Sequence, residues 1–392
     1  MMPPFQQIRK ITFRCQTALF MNLKTLTSRL LAVAAVPNEQ SWPAEAVRVL
    51  RDTGCFRHVV PQRFGGDGAG PAAQLAVYEA AATGNLPATL ILTQHDAAVE
   101  VLAAAAPESI ATDILKECVS GEELLTVGIS QITTSRRHGR AAMRAQSDGD
   151  GDGDGFVLDG VMPWVTSAQR ANHIVTAAVL DDGRQLLACV PTNTPEISIQ
   201  EPMQLLALQS SWTSEVRCDR LRISRPWVLR GPAESVLSRR TPVKGLTVSS
   251  VGLGMAAALL REVHALASTL PGADILLKDT IEPRYNAIRR GLQDAAGSLD
   301  APAAERPTET LRSDVNVIVN HLAATLMTLA KGTGFLSTRP TQRLVREAAF
   351  FLVWSADPTV RIKTLHRIWD VPATGCSDNG ADAGCPGALA DR

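Results

Sequence analysis

Between Ser147 and Gly155 aspartate and glycine alternate, and Asp148, Asp150, Asp152 and Gly153, with Asp159 at the twelfth position, carry the spacing of a calcium-binding loop. Carboxylate oxygens at alternate positions can surround a hard cation, and the glycine permits the sharp bend between them. The flanking segments, however, read as strands rather than helices, and the closing residue is not the bidentate glutamate. The run therefore reads as a solvated hairpin insertion. Arg343, Arg346 and Glu347 fall at i, i+3 and i+4, on one face of a helix, the arrangement of a structural ion-pair network. Arg136-Arg137 is a doubled cation that suits a phosphate and a solvated turn equally well. The seven histidines show no ligand spacing, and the seven cysteines are scattered without a CxxC pair. That argues against a zinc site and a disulfide framework, and favours a reducing compartment, the cytoplasm.

These groups sit on a chain of 392 residues, of which 45% are hydrophobic, 20% charged and 4% aromatic. The length allows one large multi-lobed unit or two to three domains with real cores. Abundant Ala and Leu with few aromatics lean the chain toward helix. The 39 basic residues balance 39 acidic ones, so there is no basic footprint for nucleic acid or acidic lipid. No apolar run approaches the roughly 18–20 residues needed to span a bilayer. Residues 1–22 include Arg9, Lys10 and Arg14 and no acid, loosely as in a transit peptide, and read more simply as an extension ahead of a start near Met21.

Three textures follow one another. Residues 23–123 are helical in pattern: Leu75, Tyr78 and Ala82 fall at i, i+3, i+7, and Ala98, Val101, Leu102 and Ala105 at i, i+3, i+4, i+7. Pro61-Gln62-Arg63-Phe64-Gly65-Gly66-Asp67-Gly68 interrupts them as a loop, because paired glycines and a proline break regular structure. Residues 124–230 hold short apolar runs broken by Asp-Gly turns, with strands expected at Phe156-Val157-Leu158, at 173–179 and at 185–190. Residues 231–370 return to long helices, among them 251–266 and 315–329. The tail 371–392, rich in Gly, Ala, Asp and Pro, reads as disordered. Helical, then β, then helical is an α+β order, and it excludes a doubly wound fold, where strands and helices alternate.

Several motifs in this order resemble the acyl-CoA dehydrogenase superfamily over about residues 23–368. Residues 60–68 look like its early Pro-x-x-(aromatic)-Gly-Gly-x-Gly turn. Asp159-Gly160-Val161-Met162-Pro163-Trp164-Val165-Thr166 is similar to its (Asn/Asp)-Gly-x-Lys-x-Trp-(Ile/Val)-Thr stretch. The segment 206–213, ending Ser211-Trp212-Thr213, resembles its Leu-Gly-x-x-x-Ser-x-Thr turn. Gly332-Thr333-Gly334-Phe335, then Pro340, then Arg343 and Arg346-Glu347-Ala348, looks like Gly-Gly-(Tyr/Phe)-Gly…Pro-x-x-Arg-x-x-Arg-(Asp/Glu)-Ala.

The resemblance implies an N-terminal helical domain, a central β-barrel-like domain and a C-terminal four-helix bundle. FAD would lie between the last two, in a homodimer or homotetramer. Trp164 would wall the flat isoalloxazine, with Thr166, on the same strand face, and the adjoining Ser167 offering hydroxyls. Ser130, in Gly128-Ile129-Ser130-Gln131, would replace the threonine of the family's Ala-x-Thr-Glu-Pro loop, and Gly332 and Gly334 would let backbone approach the cofactor. From the residues alone, Trp164 and Thr166 read equally as core and strand residues, and the two glycines as a helix–helix turn. The family's Arg-x-x-Phe-Gly…Gln clamp is not visible in 266–284.

The implied reaction oxidises an acyl thioester and passes electrons to an acceptor that the sequence does not identify. It needs a carboxylate to remove the α-proton. The stretch matching the family's base segment is Val353-Trp354-Ser355-Ala356-Asp357-Pro358, which puts Ser355 at the base position, and an unactivated serine cannot take that proton. A second branch keeps its base at the start of the bundle, here Lys244-Gly245-Leu246-Thr247-Val248, again without an acid. Asp357 is the nearest substitute, although its place before Pro358 also reads as a helix end. Without a base two further readings stand beside the dehydrogenase: a degenerate, non-catalytic homologue that binds no flavin, and a monooxygenase on the same scaffold, which needs no such base, takes FAD or FMN, and draws on a flavin reductase. For that chemistry His95, on an N-terminal helix, is a candidate proton donor, and it reads equally as a core histidine.

Overall fold

The computed structural model describes residues 23–34, 39–133, 143–149, 155–237, 242–298 and 308–371. The N-terminal extension, Arg136-Arg137, Asp150, Asp152 and Gly153, and the tail from residue 372 lie outside the described residues.

Six helices open the chain: α1 (23–33), α2 (Ala44–Asp52), α3 (Cys55–His58), α4 (Pro71–Gly84), α5 (Leu86–Ala105) and α6 (Glu108–Ser120). Helix α2 is amphipathic, burying Ala46, Val47, Val49 and Leu50, with Glu45 in its first turn and Arg51 in its last, each opposing the helix dipole. The loop before α4 turns through Gly65 at φ +87°, and a Cβ on Gly66 would stand 2.1 Å from the Val60 carbonyl oxygen, so both glycines are required. Helices α4 and α5 form an antiparallel pair joined at Asn85, whose side chain caps α5 by accepting the Ala88 amide at 3.0 Å. Across the pair Tyr78 donates to Asp96 at 2.8 Å and Gln74 donates to Glu100 at 2.9 Å. Apolar residues cover most of both helices because both are sandwiched: α4 lies against the bundle and α5 against the sheet.

Eight strands follow: β1 (Leu125–Gly128), β2 (Met143–Ser147), β3 (Gly155–Val165), β4 (His173–Val179), β5 (Gln185–Pro191), β6 (Ile197–Ile199), β7 (Ser214–Ser224) and β8 (Val228–Ala233). A one-turn helix, α7 (Ser130–Thr133), follows β1. The strand order is β6-β7-β3-β2-β4-β5-β8, with β1 paired to β4. β1 and β2 run parallel to β4, and the other pairs are antiparallel. β4 and β5 are buried on both faces, which explains their unbroken apolar sequence, whereas β7 alternates buried and exposed residues.

The chain ends in α8 (Pro242–Ala267), α9 (Ala273–Leu276), α10 (Glu282–Gly297), α11 (Thr308–Ala330), α12 (Pro340–Ala349) and α13 (Pro358–Ile368). α8 is the axis of this bundle, packed between α4 and α11. Its segment Gly245–Ala267 is long and apolar enough to cross a membrane, yet 78% of it is buried inside the protein. This corrects the reading that no such run exists. Interspersed Gly, Ala and Ser disguise the segment, and those small residues let neighbouring helices approach. The architecture is α+β: N-terminal helices, a central sheet and a C-terminal helical bundle.

Candidate active site

β1 and β3 converge on one corner of the sheet. A Cβ on Gly128 would come within 2.7 Å of the Met162 sulfur and 3.1 Å of Val165, so the end of β1 lies flat against β3. Gln131, buried in α7, fastens this end by donating to the carbonyls of Gly128 and Ala177, each at 2.8 Å. Ser130 heads the same turn, half-buried.

Trp164 lies at the end of β3 with 51% of its surface exposed. Thr166 lies beyond the strand and is buried, so the two do not share a strand face as expected. The register shift between Met162 and Val165 breaks the alternation that the sequence suggested. Around Thr166 the fold gathers five hydroxyls. Thr126 donates to the Thr166 carbonyl at 2.8 Å and Ser167 to the same oxygen at 2.7 Å. The Thr166 hydroxyl meets that of Thr213 at 3.3 Å, and Thr213 meets Ser211 at 3.0 Å. The Ser167 amide donates to the Ser211 carbonyl at 2.9 Å. Ser167, Leu208 and Trp212 hold positive φ values of 56°, 64° and 47°, a strained conformation for residues with side chains.

This turn is tied to the rest of the molecule. Trp212 donates its indole N–H to the Gln40 carbonyl at 2.9 Å and packs against Trp42, with Arg170 over both rings. Arg346 of α12 donates to the Leu206 carbonyl at 2.8 Å and pairs with Glu39 at 2.6 Å. Glu347 faces inward, buried, 3.8 Å from Arg343, and burial pushes its carboxyl up to about 7 against the pull of that arginine.

Ser355 and Asp357 form a second group. Ser355 is exposed and left-handed at φ 49°. Asp357 does not end a helix but begins one: it is the N-cap of α13, accepting the Val360 amide at 2.8 Å, with Pro358 in the first turn. Trp354 stacks on Phe350 with ring centroids 5.0 Å apart. Gly332 and Gly334 stand elsewhere, in the tight turn Lys331–Phe335 that ends α11. A Cβ on Gly332 would meet nothing within 4 Å, while one on Gly334 would stand 2.7 Å from the Met327 sulfur, so Gly334 is needed for packing within the turn. His95 is fully buried in α5, where it accepts the Leu125 amide at 3.1 Å, and burial lowers its imidazole to about 4. A neutral ring so placed cannot deliver a proton to an open site near neutral pH.

An exposed indole beside a buried patch of hydroxyls and backbone amides matches the chemistry of a flavin, which needs an apolar wall and directed hydrogen bonds. Sequence reasoning named Trp164, Thr166 and Ser167 but missed Thr126, Ser211 and Thr213 as their partners.

A family model for the N-terminal domain of acyl-CoA dehydrogenases matches residues 22–122. The chain is 22% identical over 355 residues to the probable acyl-CoA dehydrogenase fadE25 of Mycobacterium leprae (strain TN), covering 85% of this chain and 89% of that one. Its likeness to the probable acyl-CoA dehydrogenase YngJ of Bacillus subtilis (strain 168) is partial, 24% over 153 residues, covering 37% of this chain and 39% of that protein. Among solved structures, a glutaryl-coenzyme A dehydrogenase in complex with glutaryl-CoA aligns with a TM-score of 0.77 at 19% identity, covering 90% of this chain and 95% of that one. KijD3 in complex with FMN and dTDP-3-amino-2,3,6-trideoxy-4-keto-3-methyl-D-glucose aligns with a TM-score of 0.73 at 21% identity, covering 93% and 95%. The N-terminal family match, the relative that aligns over most of the chain and the shared fold agree: residues 22–122 match the acyl-CoA dehydrogenase N-terminal domain, and the chain has the acyl-CoA dehydrogenase fold.

Proposed function

We propose that the protein is a flavin-dependent oxidoreductase of the acyl-CoA dehydrogenase type, which oxidises the Cα–Cβ bond of an acyl thioester. The observation that carries this reading is the exposed Trp164 beside the hydroxyls of Thr166 and Thr213, where β1 and β3 converge. A bound flavin, FAD in this reading, would supply the acceptor for the substrate's hydride. Trp164 would cover one face of its ring system, and Thr166, Thr213 and Ser130 would donate hydrogen bonds to it. The positive-φ turn 208–212 holds these donors in place beforehand, so that little ordering is required on binding.

The α-proton still needs a base. Asp357 is engaged as a helix cap. Glu347, near the end of α12 and eight residues before Ser355, has a carboxyl that burial pushes up to about 7, suited to general-base work, and is our candidate.

A second reading, a flavin monooxygenase on the same fold using FMN or FAD and a separate reductase, is favoured by one observation. The position of the family's base holds an exposed serine, and a buried cation, Arg312, stands behind it. Anaerobic titration of the flavin-loaded protein with acyl-CoAs of several chain lengths separates the two. Bleaching of the flavin supports dehydrogenation; indifference to every acyl-CoA, with turnover only on adding reduced flavin and oxygen, supports the second. Failure to retain any flavin would overturn both.

The protein would work as a homodimer or homotetramer. Ile362, Leu365 and Trp369 leave an exposed apolar stripe along and just beyond α13, 48%, 50% and 76% accessible, which a second copy would cover. Sedimentation of the purified protein at several concentrations reads this directly, and a single monomeric species throughout would overturn it.

A further inference from the structure

Arg312 lies in the first turns of α11 and is 4% exposed. Its guanidinium donates from Nη2 to the Phe351 carbonyl at 3.1 Å and the Trp354 carbonyl at 3.0 Å, and lies 5.8 Å from the Phe351 ring centroid. Nη1 has no partner among the described residues. Burial alone shifts this group, down to about 9, so it carries its charge at neutral pH, with no carboxylate among the described residues to offset it.

The surroundings are as unusual as the charge. A Cβ on Gly245 would stand 3.5 Å from Thr308, and one on Gly252 would stand 2.4 Å from Val315, so α8 and α11 run side by side in a register that sets Ser249 level with Arg312. The Ser249 hydroxyl is also buried without a partner among the described residues. One of the two stretches in which the sequence sought a base, 353–357, is thus held through Trp354 by this cation, while the other, 244–248, opens the helix that packs beside α11. Trp354, whose carbonyl Arg312 holds, is followed by Ser355 at φ 49°, a conformation that persists only where its surroundings enforce it.

We propose that Arg312 is a positioning residue, whose hold on the Phe351 and Trp354 carbonyls fixes the segment carrying Ser355 and Asp357 against α11. Its effect on turnover rests on the reading given under Proposed function; its effect on the segment does not.

The test compares the full-length wild type with R312Q and R312K. In the native turn the Val353 and Trp354 amides bond to the Phe350 carbonyl and the Ala356 amide to that of Val353, so their hydrogen exchange reports the segment. R312Q should speed exchange at these amides by about tenfold or more while α4 and α5 keep their protection, and R312K, which keeps the charge and the donors, should restore much of it. In acyl-CoA oxidation R312Q should lower kcat by about tenfold with KM changed by less than about threefold, and R312K should recover part of that loss. Unchanged exchange at the three amides in R312Q overturns the proposal, and so does equal acceleration throughout the molecule. If the wild type oxidises no acyl-CoA, the functional reading fails while the exchange comparison still decides the role of Arg312.

Discussion

His95 accepts the backbone amide of Leu125 at Nδ1 over 3.1 Å, so an imidazole in the middle of α5 fixes the first residue of β1. The ring stands edge-on to Phe56, with centroids 5.0 Å apart, and Nε2 has no partner among the described residues. The residue therefore joins the N-terminal helices to the sheet.

That placement makes stability depend on pH with a definite sign. Burial lowers His95 from 6.5 to about 4, so between those values the unfolded chain binds a proton that the folded chain refuses. Its contribution is complete above pH 6.5 and is lost as pH falls toward 4, by about 3 kcal/mol. Urea unfolding of wild type and H95N at pH 7.5, 5.5 and 4.5 should show a slope in the wild type that is reduced in the variant. Parallel curves would mean that His95 is not the group responsible.

Glu347 has the opposite sign. Its folded carboxyl is pushed up from 4.5 to about 7, so the fold opposes its ionisation and loses stability as pH rises through that window. E347Q should raise the melting temperature at pH 8, leave it nearly unchanged at pH 4.5, and abolish α-proton exchange of a bound acyl-CoA. A variant less stable than wild type at pH 8 would show that the Arg343 pair outweighs the burial of the charge.

Trp164 is half exposed, so W164A should leave the melting temperature of the flavin-free protein within about 1 °C of wild type, as surface substitutions generally do. Flavin retention should fall by about tenfold or more through the loss of the aromatic wall. T166V, which removes a buried hydroxyl, should weaken flavin binding and lower stability together, by about 1–2 kcal/mol. Equal flavin content in wild type and W164A after gel filtration would remove Trp164 from the site.

What could be read from the sequence followed the range of the interactions. β4 and β5 were visible as apolar runs because burial on both faces needs only local composition. The shared face of Trp164 and Thr166 was misjudged because a register shift against β7 breaks the alternation, and that shift depends on a strand some fifty residues on. Asp357 was misread although its signal was local: Asp followed by Pro starts a helix, the Asp capping the amide three residues on. The hydroxyl group around Thr166 could not be found, since Thr126, Thr166 and Thr213 come from three separate segments. Arg312 was not singled out in the sequence, although buried Val315 and Asn316 one turn ahead mark the face it shares.

Gly254 offers a test of the helical packing. An alanine inside a helix normally adds about 1 kcal/mol of stability over glycine. Here the added Cβ would stand 2.3 Å from the Glu79 carbonyl and 2.7 Å from the Ala82 methyl, so G254A should destabilise the protein by about 1–3 kcal/mol. G245A, whose Cβ would meet Thr308 at an ordinary 3.5 Å, is the control and should be neutral or mildly stabilising. Equal urea midpoints for the two variants would contradict the close approach of α8 to α4.

The parallel pairing of β1 with β4, Leu125 beside His173 and Gly128 beside Thr176, also sets the order in which the molecule can be completed. Parallel neighbours cannot be closed by a hairpin, so β1 leaves the ribosome as a bare edge and waits until β4 has been translated. Helix α4 waits longer, because Ser250, which bonds to its Leu75 carbonyl, lies on α8. The first third of the chain is therefore born sticky and stays so through most of translation. Cut off after β1, it would be a fragment for chaperones and proteases rather than a small protein in its own right.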